Sequence, residues 1–277
     1  MPTLATTLAP RRPLATAALA FLAVAGCADA TAPATGRVVY GPAQPFAQGA
    51  VRAYAVLDSA GAPTAIGVAL SDGVMQGLPA ASATPEMPMD LMRNLALPAA
   101  AVAAGYDHAS FGWNPTGHDP VTIYGAPHFD FHFYTVSETA QMAMLPSDPA
   151  FLDKLAKVPD PQYRPATYVQ FPGGVPMMGS HWGDPASPEL VPNAPAGTFT
   201  RTFLYGSYDG HFVFYEPMIT RAYLEGTRAR PAGDGAESIK TPTRYERPGA
   251  YPTRYTAAYD ATAHEYRVAI AGLVRRD

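Results

Sequence analysis

Gly125-Ala126-Pro127-His128-Phe129-Asp130-Phe131-His132-Phe133-Tyr134 is the stretch whose reading decides the fold. Two histidines and an aspartate fall at every second position, with an aromatic residue at each position between. A β-strand sends alternate side chains to opposite faces. His128, Asp130 and His132 would then share one face, and Phe129, Phe131 and Phe133 the other. Aromatic residues suit a packed sheet surface, which favours the strand. The opposite face then presents three groups that hold a metal or move protons.

Geometry limits what the row can do. On a strand rising about 3.3 Å per residue, His128 and His132 stand roughly 13 Å apart at Cα. One metal with bonds of ~2 Å is hard to reach from both. A strand more readily offers His128 with Asp130, or Asp130 with His132. On a helix the two histidines would stand one turn apart and could share an ion. Phe, Tyr and His are poor helix formers, however, and the residues alternate. A bend beside Pro127 would also draw the rings together. In another arrangement one His ligates while Asp130 orients it through the far ring nitrogen. The ordinary reading is a buried polar stripe whose histidines satisfy backbone groups.

Further along, Gly179-Ser180-His181-Trp182-Gly183-Asp184 reads as a glycine-flanked loop. His181 could approach an ion closely there, with Trp182 walling the site against water. Glu216 follows the apolar run Phe212-Val213-Phe214-Tyr215, directly before Pro217. A carboxylate half-buried in that setting needs a metal, a cation or a proton. His128, His132, His181 and Glu216 form a nitrogen and oxygen donor set suited to zinc, with iron, manganese or copper as alternatives. Asp130 would act behind it as general base or orienting carboxylate. His118, in the turn Asn114-Pro115-Thr116-Gly117-His118, could support the site as a proton shuttle. Met177, Met178 and Met218 could be soft copper ligands, although Met more often fills gaps in a core. His211 reads as the start of a strand, and His108 and His264 as surface. Neither Gly206-Ser207-Tyr208-Asp209-Gly210 nor Gly179-Ser180-His181 matches the Gly-x-Ser-x-Gly nucleophile pattern. Phosphate-loop and dinucleotide fingerprints are also lacking.

Three of these segments carry a resemblance. Pro127-His128-Phe129-Asp130-Phe131-His132-Phe133-Tyr134, Gly179-Ser180-His181-Trp182 and Tyr215-Glu216-Pro217-Met218-Ile219-Thr220 together resemble a family of exported bacterial proteins classed as a domain of unknown function. The similarity covers roughly Gly105 to Leu224. It implies no activity. It does imply that the histidines and the glutamate of the three motifs belong to one site.

The N-terminal end reads as an export signal, residues 1–26. Arg11-Arg12 is a charged leader. The apolar run Pro13 to Ala25 is too short to span a bilayer as a helix. Val24-Ala25-Gly26-Cys27 resembles a bacterial lipobox, which implies cleavage before Cys27, diacylglycerol on its sulfur and acylation of its new amino group. Cys27 is the only cysteine in the chain, so the mature protein would have no disulfide and no thiolate ligand. Ala28 lacks the aspartate of an inner-membrane retention signal. The expected location is the cell envelope, lipid-anchored, after a tether over residues 27–35. The net charge of −4 includes no basic cluster, which argues against nucleic acid as a partner. A small-molecule ligand or substrate is the expected partner besides the membrane.

The 30 prolines and 24 glycines suit many short strands and turns. Hairpins are expected around Asp58-Ser59-Ala60-Gly61, around Gly206 to Gly210 and around Asp260 to Ala263. Val74 to Leu78 reads as a strand, Ala80 to Met89 as loop, and Met89 to Ala104 as either helix or strand. Val121 to Tyr124 leads into the central stretch. Helices are expected from the Ser137 cap to Leu145, within Asp148 to Lys157, and from Met218 to Leu224, where Pro217 would end the preceding strand. The expected fold of residues 36–277 is a single α+β domain, predominantly antiparallel β, sandwich or barrel-like, with a few short helices. Its expected role is a metal-binding envelope lipoprotein, hydrolytic or oxygen-dependent. The alternatives are a metal-free lipoprotein binding a sugar or small apolar molecule, and a metal-free His/Asp acid-base enzyme.

Overall fold

Strand β7 (His128–Tyr134) is buried along its whole length, and its alternation divides two environments. Phe129, Phe131 and Phe133 enter the main apolar core, while His128, Asp130 and His132 leave on the other face. The computed structural model describes residues 1, 36–80, 91–231, 233 and 235–277. The expected signal peptide, Cys27 and the tether lie outside the described residues, as does most of the loop expected over Ala80 to Met89. Among the described residues, no helix is long and apolar enough to cross a membrane.

The strands before β7 are β1 (Arg37–Tyr40), β2 (Gln44–Phe46), β3 (Gly49–Leu57), β4 (Pro63–Ser71), β5 (Met92–Ala96) and β6 (His108–Asn114). Those after it are β8 (Val169–Gln170), β9 (Ser180–Gly183), β10 (Arg201–Tyr208), β11 (His211–Thr220), β12 (Ala236–Ser238), β13 (Gly249–Tyr251), β14 (Arg254–Asp260), β15 (Glu265–Ala271) and β16 (Val274–Arg276). Short helices α1 (Asp72–Gln76), α2 (Ala99–Ala103), α3 (Val121–Tyr124), α4 (Glu138–Met142), α5 (Phe151–Ala156) and α6 (Arg221–Gly226) punctuate them.

The pairing is antiparallel throughout. One sheet runs β1-β3-β4-β15-β14-β12, with β2 on β3; the second runs β5-β6-β7-β11-β10-β9-β8; β13 and β16 form a small ribbon. One face of each large sheet feeds the same apolar cluster. Val51, Ile66, Val68, Leu70, Val268 and Ile270 come from the first sheet, and Phe111, Trp113, the three β7 phenylalanines, Phe203 and Ile219 from the second. The fold is therefore an open sandwich of antiparallel sheets with short helices, and neither sheet closes into a barrel.

The outer face of the second sheet is covered too. Tyr124 and Phe199 pack there with Leu204 and Met218. Met144, Phe151, Leu155 and Met178 pack with Tyr134, Val213 and Phe214. The polar row of β7 thus lies between a sheet and a cover of loops and short helices rather than in solvent. Met178 and Met218 fill these clusters, the packing role Met commonly takes.

Several expectations change. Val74 to Leu78 is not a strand; Ser71 precedes helix α1, which buries Val74 and Met75. The described part of the Met89 to Ala104 segment, from Leu91 on, resolves into strand β5 and helix α2, parted at Pro98. Val121 to Tyr124 is a helical turn. Strand β11 passes through Pro217 to Thr220, and the helix begins at Arg221 rather than Met218. Pro217 pairs with Phe203 of β10, whereas the ladder to β7 has no pair at Glu216 or Pro217. The missing proline N–H interrupts one side of the strand without ending it. The segment around His181 is strand β9, added to the sheet edge through β10, not a loop.

Candidate functional site

Register brings the polar side chains together. Strand β11 runs antiparallel to β7 with Tyr215 opposite Phe133 and Met218 opposite Asp130, which sets Glu216 beside His132. Glu216 pairs with Leu204 of β10, and Gly206 of β10 pairs with His181 of β9. His132, Glu216 and His181 therefore project from the same sheet face, on β7, β11 and β9, with β10 between the last two. His132 Nε2 lies 3.2 Å from Glu216 Oε1, and His181 Nε2 lies 3.4 Å from Glu216 Oε2.

Phe214 seats this group. Its ring lies 4.8 Å from the His132 ring and 5.3 Å from the His181 ring, centroid to centroid. It can lie there because Gly206 has no side chain: a Cβ would come within 2.0 Å of the Phe214 ring. Gly179, at φ 82°, turns the chain into β9 with the amide of Gly179 bonded to Val175.

A second group sits further along β7. His128 Nε2 lies 3.2 Å from Asp130 Oδ1, and His118 Nε2 lies 3.6 Å from Asp130 Oδ2. Asn114 Nδ2 donates to Asp130 Oδ2 at 2.7 Å from β6. The His118 and His128 rings meet edge to face at 4.7 Å. Both triads, His132/His181/Glu216 and His118/His128/Asp130, have the residue types and the closeness to hold a metal ion.

The expected four-ligand set is thus divided. His128 does not join His132, His181 and Glu216. The strand is regular, so its two histidines stay apart, as the spacing required, and each meets a different carboxylate. Asp130 faces His128 and His118. His118 lies at the rim, with its side chain 31% exposed, and joins the Asp130 group. Trp182 does not wall the site: it alternates with His181, enters the apolar core and donates from Nε1 to Ser207 Oγ at 2.8 Å. His108, expected at the surface, is buried against Tyr134, its ring nitrogens 2.9 Å from Asp107 Oδ1 and 2.8 Å from Gln141 Oε1. His211 opens β11 and pairs with Glu246. His264 is exposed.

Asn114, Tyr124, Phe199 and Phe214 belong to this region and were not legible as site residues, with one exception. Phe214 lies two positions before Glu216, and strand alternation alone places it on the same face. Asn114 looked like a turn residue, and Tyr124 and Phe199 arrive on covering segments whose destination no local pattern encodes.

The electrostatics are those of buried groups. Burial pushes Glu216 well above the usual glutamate range, and the nearby Asp130 charge adds to it. Burial draws His132 down to about 4, against the opposing pull of Asp130. It draws His181 to about 3, with His132 and His118 adding to the fall. Burial would raise Asp130, but the His128 and His118 imidazoles outweigh it and hold the carboxyl well below its usual range. Burial would lower His118, but Asp130 outweighs it and the ring is raised. Several buried atoms also lack a hydrogen-bond partner: His128 Nε2, Asp130 Oδ1, both ring nitrogens of His132, Glu216 Oε2 and the Tyr124 hydroxyl. Such groups are rarely left unsatisfied in an interior.

Comparison with known proteins adds one partial match. A family model described as TTHB210-like, hypothetical protein TTHB210, is similar to residues 58–113. That span holds β4, α1, β5, α2 and most of β6, and none of the six triad residues lies in it. No curated protein and no solved structure matches the chain.

The shifted groups give a pH signature in chelator-treated protein. Above 6.5, the ordinary histidine value, His132 and His181 are neutral both folded and unfolded. Glu216, raised in the folded state, contributes stability that is complete below its ordinary 4.5 and is lost as pH rises through its folded value. The melting temperature should fall on the alkaline side, and Glu216→Gln should flatten that fall. The histidines act oppositely, losing stability as pH drops from 6.5 toward about 4 and about 3, and this acid limb should persist in Glu216→Gln. Melting curves across pH read both limbs; an unchanged alkaline slope in Glu216→Gln would contradict the assignment.

Proposed function

We propose that the protein is a metal-binding envelope lipoprotein whose centre is His132, His181 and Glu216. The observation that carries this reading is the spacing of buried donor atoms that do not bond one another. In a tetrahedral site with bonds of ~2.0–2.1 Å, adjacent ligands stand about 3.3 Å apart. The pairs His132 Nε2–Glu216 Oε1 and His181 Nε2–Glu216 Oε2 stand at 3.2 and 3.4 Å. Yet Glu216 Oε2 and both His132 nitrogens have no hydrogen-bond partner. Lone pairs that close, buried and unbonded favour a shared cation over mutual contact.

Two imidazoles and a carboxylate suit zinc best among the divalent transition metals. Three protein donors leave a coordination position open, the pattern of catalytic rather than structural zinc. A bound ion would polarise an oxygen or lower the pKa of a water, which makes hydrolysis the preferred reaction class. His181, with its side chain 14% exposed, stands where the site opens toward solvent. His132 and Glu216 are fixed from beneath by the sheet and Phe214. Asp130, expected as a general base, faces the other triad and is not part of this ligand set. Lipid anchoring at Cys27 belongs to the same proposal and rests on the lipobox alone.

A second reading has its own observation. A cavity of about 250 Å³ is lined by Tyr106, Tyr163, Phe212, Tyr215, Tyr245 and Tyr251. Tyr215 alternates with Glu216, so this cavity lies across the sheet from the triads. An aromatic-walled cavity of that size suits a sugar or small apolar ligand. Its occupant would bind regardless of chelator.

Zinc added to chelator-treated protein should raise the melting temperature. At a hundredfold excess over Kd the stabilisation is about 2.7 kcal/mol, or roughly 5–10 °C for a domain of this size. His181→Ala should weaken zinc binding by at least about tenfold. Elemental analysis of protein never exposed to chelator decides the matter: less than about a tenth of an equivalent of any transition metal would overturn the reading.

A further inference from the structure

We propose that His118, His128 and Asp130 form a second divalent-cation site, beside the first and independent of it. His128 Nδ1 lies 2.7 Å from the carbonyl oxygen of Ala126, and His118 Nδ1 lies 2.9 Å from that of Asp119. A carbonyl oxygen only accepts, so both Nδ1 atoms carry the hydrogen. In the neutral rings both Nε2 atoms are then bare lone pairs. Each faces a carboxylate oxygen of Asp130, at 3.2 Å for His128 and 3.6 Å for His118.

Lone pair facing lone pair at that distance is repulsive unless a cation lies between. A proton on His128 Nε2 would satisfy Asp130 through a hydrogen bond. No such bond joins them here: His128 Nε2 and Asp130 Oδ1 are both buried without a partner. His128 is 0% exposed and Asp130 3%, so bulk solvent does not reach them. With bonds of about 2.0–2.2 Å, adjacent tetrahedral ligands stand roughly 3.3–3.6 Å apart, and the His128–Asp130 and His118–Asp130 pairs lie at 3.2 and 3.6 Å. A backbone carbonyl behind each ligating ring is also how metal-binding histidines are commonly oriented. Asn114 fixes the carboxylate by donating to Oδ2, the oxygen that His118 also faces. His118, at the rim, gives the ion a way in.

The occupant class follows from the donors. Two imidazole nitrogens and one carboxylate oxygen suit a divalent transition ion of zinc or cobalt size, with water completing the shell. Since Asp130 and His132 are neighbours on one face of β7, two ions would be held side by side along the strand.

Cobalt(II) is the probe, titrated into chelator-treated protein, with absorption and bound metal measured together. Wild type should bind about two equivalents, and His118→Ala about one. His118 is partly exposed, so its removal spares the core, and circular dichroism verifies the fold. His132→Ala should also bind about one equivalent, with a different absorption spectrum from that of His118→Ala. Wild-type stoichiometry retained in both His118→Ala and His128→Asn overturns the inference. If wild type binds a single equivalent, its loss in His118→Ala and survival in His132→Ala upholds this site and overturns the first. The reverse pattern overturns this site and leaves the first standing. No binding at all overturns both.

Discussion

Everything in the second sheet depends on the two-residue period of β7 within a strand buried on both faces. A strand with one wet face could carry His128, Asp130 and His132 as ordinary surface groups. Here the phenylalanine face closes against the first sheet, and the polar face closes against Tyr124, Phe199 and the helices beyond. Three ionisable groups are thereby taken out of water, and Glu216 with them. Burying a charge is costly unless it is matched, so each of these groups must find a partner inside.

The partners come from neighbouring strands rather than from β7 itself. A rise of about 3.3 Å per residue keeps the two histidines too far apart to serve one ion, while lateral strand spacing of about 4.8 Å brings Glu216 within reach of His132. Two further details make room. Pro217 interrupts the ladder to β7 beside Glu216, and Gly206 admits the Phe214 ring beside the two histidines of the first triad. Each removes something, an N–H or a side chain, where the donor atoms gather.

Much of this could be read from the chain. The alternation in His128–Tyr134, the hairpins around Asp58 to Gly61 and Asp260 to Ala263, and the antiparallel β character all rest on local periodicity and turn chemistry, and they appear in the structure. The spacing argument against sharing one ion between His128 and His132 was also available. Which carboxylate each histidine meets was not, because that depends on the register of β11 and β9, which no local pattern encodes. Pro217 misled because proline seldom sits in a central strand. His181 looked like a loop residue because glycines flank it, yet Gly179 makes the turn and the next residues pair with β10. His108 shows a related limit: a lone histidine gives no sign of being buried until Tyr134 and Gln141 are brought to it.

The account stands on the claim that His132, His181 and Glu216 converge on a cation. Anomalous diffraction from crystals of protein never exposed to chelator, recorded above and below the zinc edge, tests it most directly. The account predicts an edge-dependent peak about 2.0–2.2 Å from His132 Nε2, His181 Nε2 and a Glu216 oxygen. Clear density for those three side chains with no anomalous signal between them, and a direct hydrogen bond from His132 to Glu216 in its place, would contradict it.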